Sequence, residues 1–440
     1  GSSVVNRAIY ASRPAAAAAL AMLAAAPTSA QTVGAFLDSP LPDTSDRGRN
    51  IAVTERQRPE YEAQGIGLGG FLLYPKLETG IGYSDNVFNT PTNTRSDAYA
   101  EIDPELRLQS RWSNHDLRVT GGLDLRRFFK ETIRNQSGYH ARVDGRYDIT
   151  RESNVVGFAQ VRRDYQNQFS SSVPDSAIQP AQYVQVTAGA RGTTRFGRVR
   201  GMLAADVNNF NFDDITLATG TVFNLDIRDR TVVRGAGRLE YALTPATAVF
   251  GEIDLSSINH RVDTIAPGIP NRDGSEARVL GGVSFDLSAL VRAQIGAGYI
   301  RRGFAADNVY RTISNFTYDA RVEYFPSGLT TISLAAVRSI EEAINATSSG
   351  YVANTFELRA DHELLRNFIL TAAAGYQMND FVGIDRNDDF LSVRGEGTFM
   401  FAPELGVKAG VRYLDRNSSG NFSGQTFNEL QGMVSLVLSR

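Results

Sequence analysis

Beyond residue 68 apolar and polar side chains alternate one for one along most of the chain, and the stretch Asp97–Lys130 sets the pattern. In its first arm Ala98, Ala100, Ile102, Pro104, Leu106 and Leu108 share one parity, while Tyr99, Glu101, Asp103, Glu105, Arg107 and Gln109 share the other. In its second arm Leu117, Val119, Gly121, Leu123 and Leu125 oppose Arg118, Thr120, Gly122, Asp124 and Arg126, with Ser113-Asn114-His115 joining the arms. Successive side chains of a strand point to opposite faces, so the stretch predicts a hairpin with one apolar and one charged surface. A soluble sandwich would bury the apolar face and carry turns of similar length at both ends. Here one end is a three-residue turn and the other opens into polar loops. Strands of about ten residues or more, with short turns on one side and long loops on the other, are the marks of a transmembrane β-barrel.

The design repeats. Short turns are predicted near Ser113-Asn114, Glu152-Ser153, Phe196-Gly197, Thr244-Pro245, Leu287-Ser288, Pro326-Ser327, Arg366-Asn367 and Pro403-Glu404. Longer loops rich in Asn, Asp, Ser and Gly fall at 85–97, 131–138, 169–180, 212–226, 263–273, 305–310, 342–351, 381–388 and 417–425. The interval of about forty residues is also that of some propeller blades, but it holds only two long strands and a blade needs four. The turns and loops divide residues 69–440 into eighteen antiparallel strands, sixteen or twenty if one hairpin is misread.

An isolated Arg or Lys at mid-bilayer costs about 2–4 kcal/mol, which assigns the charged parity to the lumen. The predicted lumen-lining residues are Glu101, Asp103, Glu105, Arg107, Arg118, Asp124, Arg126, Arg142, Asp144, Arg146, Asp148, Arg394 and Glu396. Residues such as Val143, Val279, Val283, Val393, Val434 and Leu436 then face lipid. Trp112, Tyr241, Tyr324, Phe325 and Phe401 predict an aromatic girdle near the turns, and Tyr83, Tyr165, Tyr299, Tyr376 and Tyr413 a second one near the loops. Such a wall is a polar conduit for a hydrated solute and, at the same time, a ladder of cross-strand ion pairs.

Composition narrows the setting. A net charge of −3 with interspersed signs gives no reason to expect nucleic acid. The absence of cysteine rules out disulfides and thiol chemistry. Residues 1–30 predict a signal peptide, with Arg7 and Arg13 ahead of the apolar run Ala15–Ala26 and Thr28-Ser29-Ala30 as the small-residue cleavage site. Residues 31–67, interrupted by Pro40, Pro42 and Pro59, predict an irregular periplasmic arm, and residues 68–440 the barrel. The expected location is therefore the outer membrane of a Gram-negative cell, with its lipids as the barrel's surroundings.

Catalytic and metal-binding sets are sparse. The four histidines, His115, His140, His260 and His362, have no serine in a strand pattern that suggests a lipid deacylase, so no enzyme and no cofactor are expected. Asp385, Asn387 and Asp389 space oxygen ligands like the start of a calcium loop, but the glycine and distal glutamate of that motif are missing; an acidic turn is the plainer reading. The first strand and its exit, Tyr74-Pro75-Lys76-Leu77-Glu78-Thr79-Gly80-Ile81-Gly82-Tyr83-Ser84-Asp85-Asn86-Val87-Phe88, resemble the opening of a family of β-barrel porins associated with exopolysaccharide and capsule secretion in proteobacteria. The resemblance implies a conduit for a polysaccharide, working with a periplasmic polysaccharide export protein. The alternatives are a general or nutrient-specific porin for small polar solutes and, behind both, a surface enzyme. Because the predicted loops reach only about fifteen residues, no constriction by an infolded loop is expected, which favours a wide conduit or one gated by a partner.

Overall fold

The computed structural model describes residues 51–440. The segments 1–30 and 31–50 of the predicted signal peptide and arm lie outside the described residues. Eighteen strands form one closed antiparallel ring. They are β1 (Phe71–Ser84), β2 (Asp97–Ser110), β3 (Asp116–Phe128), β4 (Gln136–Asp148), β5 (Ser153–Gln166), β6 (Ala181–Phe196), β7 (Val199–Phe212), β8 (Arg230–Thr244) and β9 (Thr247–His260). The ring continues through β10 (Gly274–Leu287), β11 (Val291–Phe304), β12 (Ile313–Ser327), β13 (Thr330–Glu341), β14 (Gly350–Leu365), β15 (Phe368–Val382), β16 (Asn387–Ala402), β17 (Leu405–Ser419) and β18 (Phe427–Ser439). Each strand pairs with its sequence neighbours, and β18 closes on β1 from Lys76 opposite Ser439 to Ser84 opposite Gln431. Closure gives every strand a partner on each side, the condition for a sheet in hydrocarbon.

All eight predicted turns fall between paired strands, and the long loops gather at the other end of the ring. Ile66–Leu68, read from sequence as the end of the arm, forms a short strand on Phe71–Leu73, where β18 no longer reaches β1. The β2–β3 ladder skips Asp103 and Pro104, as it must where a residue without an N–H cannot donate.

The alternation is visible in exposure. Leu106, Val119, Leu123, Val143, Leu203, Leu239, Ile253, Leu255, Val279, Val393 and Val434 are exposed apolar side chains, whereas the inward residues Asp206, Arg234, Arg238, Glu252, Asp254 and Ser284 are buried. A soluble fold would invert this distribution. Trp112, Tyr241, Tyr324 and Phe401 stand exposed near the turns, and Tyr83, Tyr299, Tyr376 and Tyr413 near the loops. Phe325 departs from its assignment to the girdle. It has the inward parity of β12, is buried, and lies 5.7 Å under the Arg292 guanidinium.

Candidate functional site

The predicted lumen residues form short-range charge pairs on the inward parity. Arg126 pairs with Glu101 across β2–β3 and covers the Tyr99 ring at 4.6 Å. Arg142 meets Asp144 at 2.7 Å, Arg146 meets Asp148 at 3.0 Å, and Arg118 donates to the Gln109 side chain at 2.8 Å. His140 stands between Asp124 at 3.2 Å and Glu105 at 3.5 Å, while Arg107 lies 4.6 Å over the Tyr74 ring. Asp103 faces Glu78 in register. Arg394 and Glu396 share their parity on β16 with the buried Asp388 and Phe390.

Sequence reasoning did not single out a denser ladder on β7–β10. Asp206 pairs with Arg234 at 2.8 Å, Arg238 bridges Glu240 at 2.9 Å and Glu252 at 3.2 Å, and Arg278 bridges Glu252 at 3.4 Å and Asp254 at 2.8 Å. The Arg238 side chain is 1 % exposed and sits 3.9 Å over the Phe250 ring. That ring leans across Gly282, where a Cβ would come within 2.6 Å of it. The same period-two spacing that identified β2–β4 was available here; what it could not supply was which opposite charges meet in register.

The loop end is crossed by one of its own loops, where no infolded loop is expected from the sequence. The loop joining β5 to β6, residues 167–180, leaves its own strands and docks on the far wall. Ser171 Oγ donates to Asp388 at 2.7 Å and accepts from Asn379 at 2.8 Å. Arg416, fully buried, donates to the Gln168 carbonyl at 2.9 Å and pairs with Asp175 at 2.7 Å and Asp388 at 3.4 Å. Phe169 packs edge-on against Phe390 at 5.1 Å within a cluster that includes Leu414 and Phe427. Ser172 Oγ donates to the Glu342 carbonyl at 3.1 Å and lies 3.2 Å from the Tyr351 hydroxyl. Length alone misled the expectation: a loop of this size crosses the ring because the far wall offers a buried arginine, an aspartate and an apolar pocket to receive it.

At the turn end, residues 51–64 of the expected arm rest on the wall. Val53 is fully buried and its N–H donates to Thr331 Oγ1 at 3.0 Å. Glu363 pairs with Arg58 at 2.7 Å and Arg56 at 3.1 Å, and Arg292 lies 3.8 Å from Glu55.

The remaining candidates have local partners. His115 stacks on Tyr147 at 4.5 Å and accepts the Asp148 N–H at 3.0 Å, and His362 Nδ1 lies 2.9 Å from the Thr330 hydroxyl. Asp385 accepts the Asn421 N–H at 3.0 Å. Asn387 and Asp389 have the outward parity of β16, and between them Asp388 turns inward to Arg386 at 2.8 Å. Among the described residues no group of three or more His, Asp or Glu side chains could hold a metal ion.

Comparison with known proteins gives the family. No curated protein matches the sequence. Among solved structures, OpdL of Pseudomonas aeruginosa is similar over 84 % of this chain and 99 % of its own, at 12 % identity and a TM-score of 0.44. The outer membrane protein OpdK of Pseudomonas aeruginosa is similar over 84 % and 99 %, at 12 % identity and a TM-score of 0.42. A mutant ferric enterobactin receptor, PfeA, of Pseudomonas aeruginosa is similar over 84 % and 80 %, at 8 % identity and a TM-score of 0.43. The family described as "Putative beta-barrel porin 2" matches residues 58–440, the docked segment from Arg58 and the whole ring. The chain belongs to that porin family and is a β-barrel of the Gram-negative outer membrane.

Proposed function

We propose that the protein is a gated channel for small polar solutes, and that it acts by transport without catalysis. By the rule that outer-membrane barrels carry short turns on the periplasmic side, the loop end faces outward. The reading rests above all on the 167–180 loop, which narrows a charged lumen from the outer side as a selectivity element would. Paired charges on the wall let a hydrated solute exchange water contacts for side-chain contacts without meeting a field of one sign.

Export of a polysaccharide with a periplasmic export protein is the second reading. It draws on the resemblance of Tyr74–Phe88, and the docked residues 51–64 give a periplasmic partner something to displace. Proteoliposome flux separates the two. A porin admits sugars and amino acids with a sharp size limit after the loop is loosened. A polysaccharide conduit passes oligosaccharide chains well above that limit. Failure to pass any small solute, with the barrel folded and the loop released, would exclude the porin reading.

A further inference from the structure

The upper half of the β13–β14 hairpin leaves the ring. The β12–β13 ladder stops at Asp319 opposite Val337, although β12 begins at Ile313 and β13 runs to Glu341. Beyond that point Ile340 and Val352, which alternation assigns to lipid, are buried. They pack with Ile300, Phe304 and Ile313 from the inward parity of β11 and β12. Side chains replace the missing ladder. Thr317 Oγ1 donates to the Arg338 carbonyl at 2.7 Å, Arg302 to the Ile340 carbonyl at 2.9 Å, and Arg338 to the Phe316 carbonyl at 3.3 Å. The hairpin tip has slid inside the neighbouring strands and lies under the 167–180 loop, which it touches through Glu342 and Tyr351.

One carboxylate fastens this tip to the wall at β8 and β9. Glu342, the first residue after β13, lies 2.7 Å from His260 Nε2, 3.2 Å from Arg230 and 3.9 Å from Arg272. Arg272 also donates to the carbonyls of Ser348, at 2.7 Å, and Asn345. Arg228 is buried 3.9 Å over the Phe212 ring, donates through Nη2 to Gln166 Oε1 at 3.0 Å and feels the Glu342 charge, while its Nη1 has no hydrogen-bond partner among the described residues. Burial, with the neighbouring Arg230 adding to it, pushes the Arg228 guanidinium down to about 10. Asp273, 2.9 Å from His260 Nδ1, is 40 % exposed and gives the cluster an edge on water.

We propose that Arg228, Arg230, Arg272 and His260 form a binding site for the carboxylate of a transported solute, that Glu342 occupies it as an internal stand-in, and that a solute carboxylate displacing Glu342 releases the hairpin. The inference rests on the channel reading and adds to it a ligand class and a moving part. In the released state the register continues as it runs below the break, one step back on β12 for each step forward on β13. Asp319 opposite Val337 is then followed by Thr317 opposite Ser339 and Asn315 opposite Glu341. The regained ladder bonds offset the apolar burial that Ile340 and Val352 give up, which keeps the two arrangements close enough in free energy for a ligand to choose between them.

Because the chain has no cysteine, the variant Thr317→Cys/Ser339→Cys reports the zipped arrangement by faster disulfide formation than in the shut one, where residue 317 faces the neighbouring Arg338 carbonyl. The full-length protein is reconstituted in a planar bilayer and oxidised in succinate or, at equal osmolarity, in glycerol. Succinate is expected to speed cross-linking about tenfold over glycerol, a shift of about 1.4 kcal/mol, and the cross-linked channel to conduct more until reductant is added. Adding Glu342→Gln should give fast cross-linking without succinate, and adding Arg228→Gln should keep the hairpin shut while weakening the succinate effect. Equal rates in succinate and glycerol overturn the site, and a cross-link that leaves conductance unchanged overturns the gate. If Glu342→Gln does not fold, the succinate comparison in the parent pair decides alone. A protein that cross-links as expected yet never conducts would refute the channel reading instead.

Discussion

Replacing Arg416 by Ala should undock the 167–180 loop. The Arg416 guanidinium is fully buried, binds the Gln168 carbonyl at 2.9 Å, and stands between Asp175 at 2.7 Å and Asp388 at 3.4 Å. Truncation removes the charged hydrogen bonds to the Gln168 carbonyl and to Asp388, and leaves two carboxylates facing each other without that counter-charge. Arg386 compensates in part, at 2.8 Å from Asp388 and 3.8 Å from Asp175. Breaking a buried pair by removing one partner costs about 3–5 kcal/mol. Even the lower figure, with each 1.4 kcal/mol worth a factor of ten, shifts the docked-to-undocked ratio by more than about a hundredfold. The reporter is Ser170→Cys, placed on a loop residue that is 7 % exposed. In the parent barrel this thiol should resist a small charged reagent, and with Arg416→Ala it should react quickly while conductance rises. Heat-modifiable migration on a gel confirms that the barrel itself is intact. A thiol as protected as in the parent, with unchanged conductance in a folded barrel, would refute the assignment of Arg416 as the loop's anchor.

Three further outcomes follow from the same geometry. Leu123→Arg, on an exposed apolar position, should cost about 2–4 kcal/mol in folding titrations into lipid if it lies near the midplane, whereas Arg126→Gln should fold and alter conductance. Gly282→Ala should destabilise the barrel in the same titration, because its Cβ meets the Phe250 ring and the Ile295 carbonyl, and adding Phe250→Leu should relieve only the first of these clashes. Burial raises the Glu342 pKa, but His260, Arg230 and Arg272 outweigh it and hold the carboxyl well below the ordinary range. A depressed pKa gives stability that is present above the unfolded value and lost as pH falls toward the folded one. The closed state should therefore survive acidification through the ordinary carboxylate range, and channel opening already at pH 5 would contradict the placement of Glu342 against these cations.

Much of the barrel was legible in the sequence because period-two alternation and turn chemistry are local properties. Asp97–Lys130 alone identified the hairpin unit, and the eight turns followed from its repetition. The shared parity of Arg142 with Asp144 was legible for the same reason, but that these two pair, and that Arg126 meets Glu101 on the neighbouring strand, is seen only in the structure. What failed depends on contacts between residues far apart in the chain. Phe325 has the composition of a girdle residue, but its parity points it at Arg292. Ile340 and Val352 alternate like lipid-facing residues, yet the strand that carries Ile340 passes behind β12. Ser171, Asp175 and Glu342 read as ordinary polar loop residues, and only the side chains of distant strands make them the fastenings of the docked loop and the hairpin tip. Loop length was a poor guide for the same reason, because reach is set by the receiving surface as much as by the number of residues.

On the proposed reading a water-filled barrel is held shut at its outer mouth by its own 167–180 loop and hairpin tip. The most direct test compares single-channel currents of the parent protein with those of a variant whose residues 168–177 are replaced by a short Gly-Ser link. The account predicts a parent that is closed or rarely open and a shortened variant with a steady, larger conductance. A parent pore that is already wide and steady, unchanged by the replacement, would contradict it.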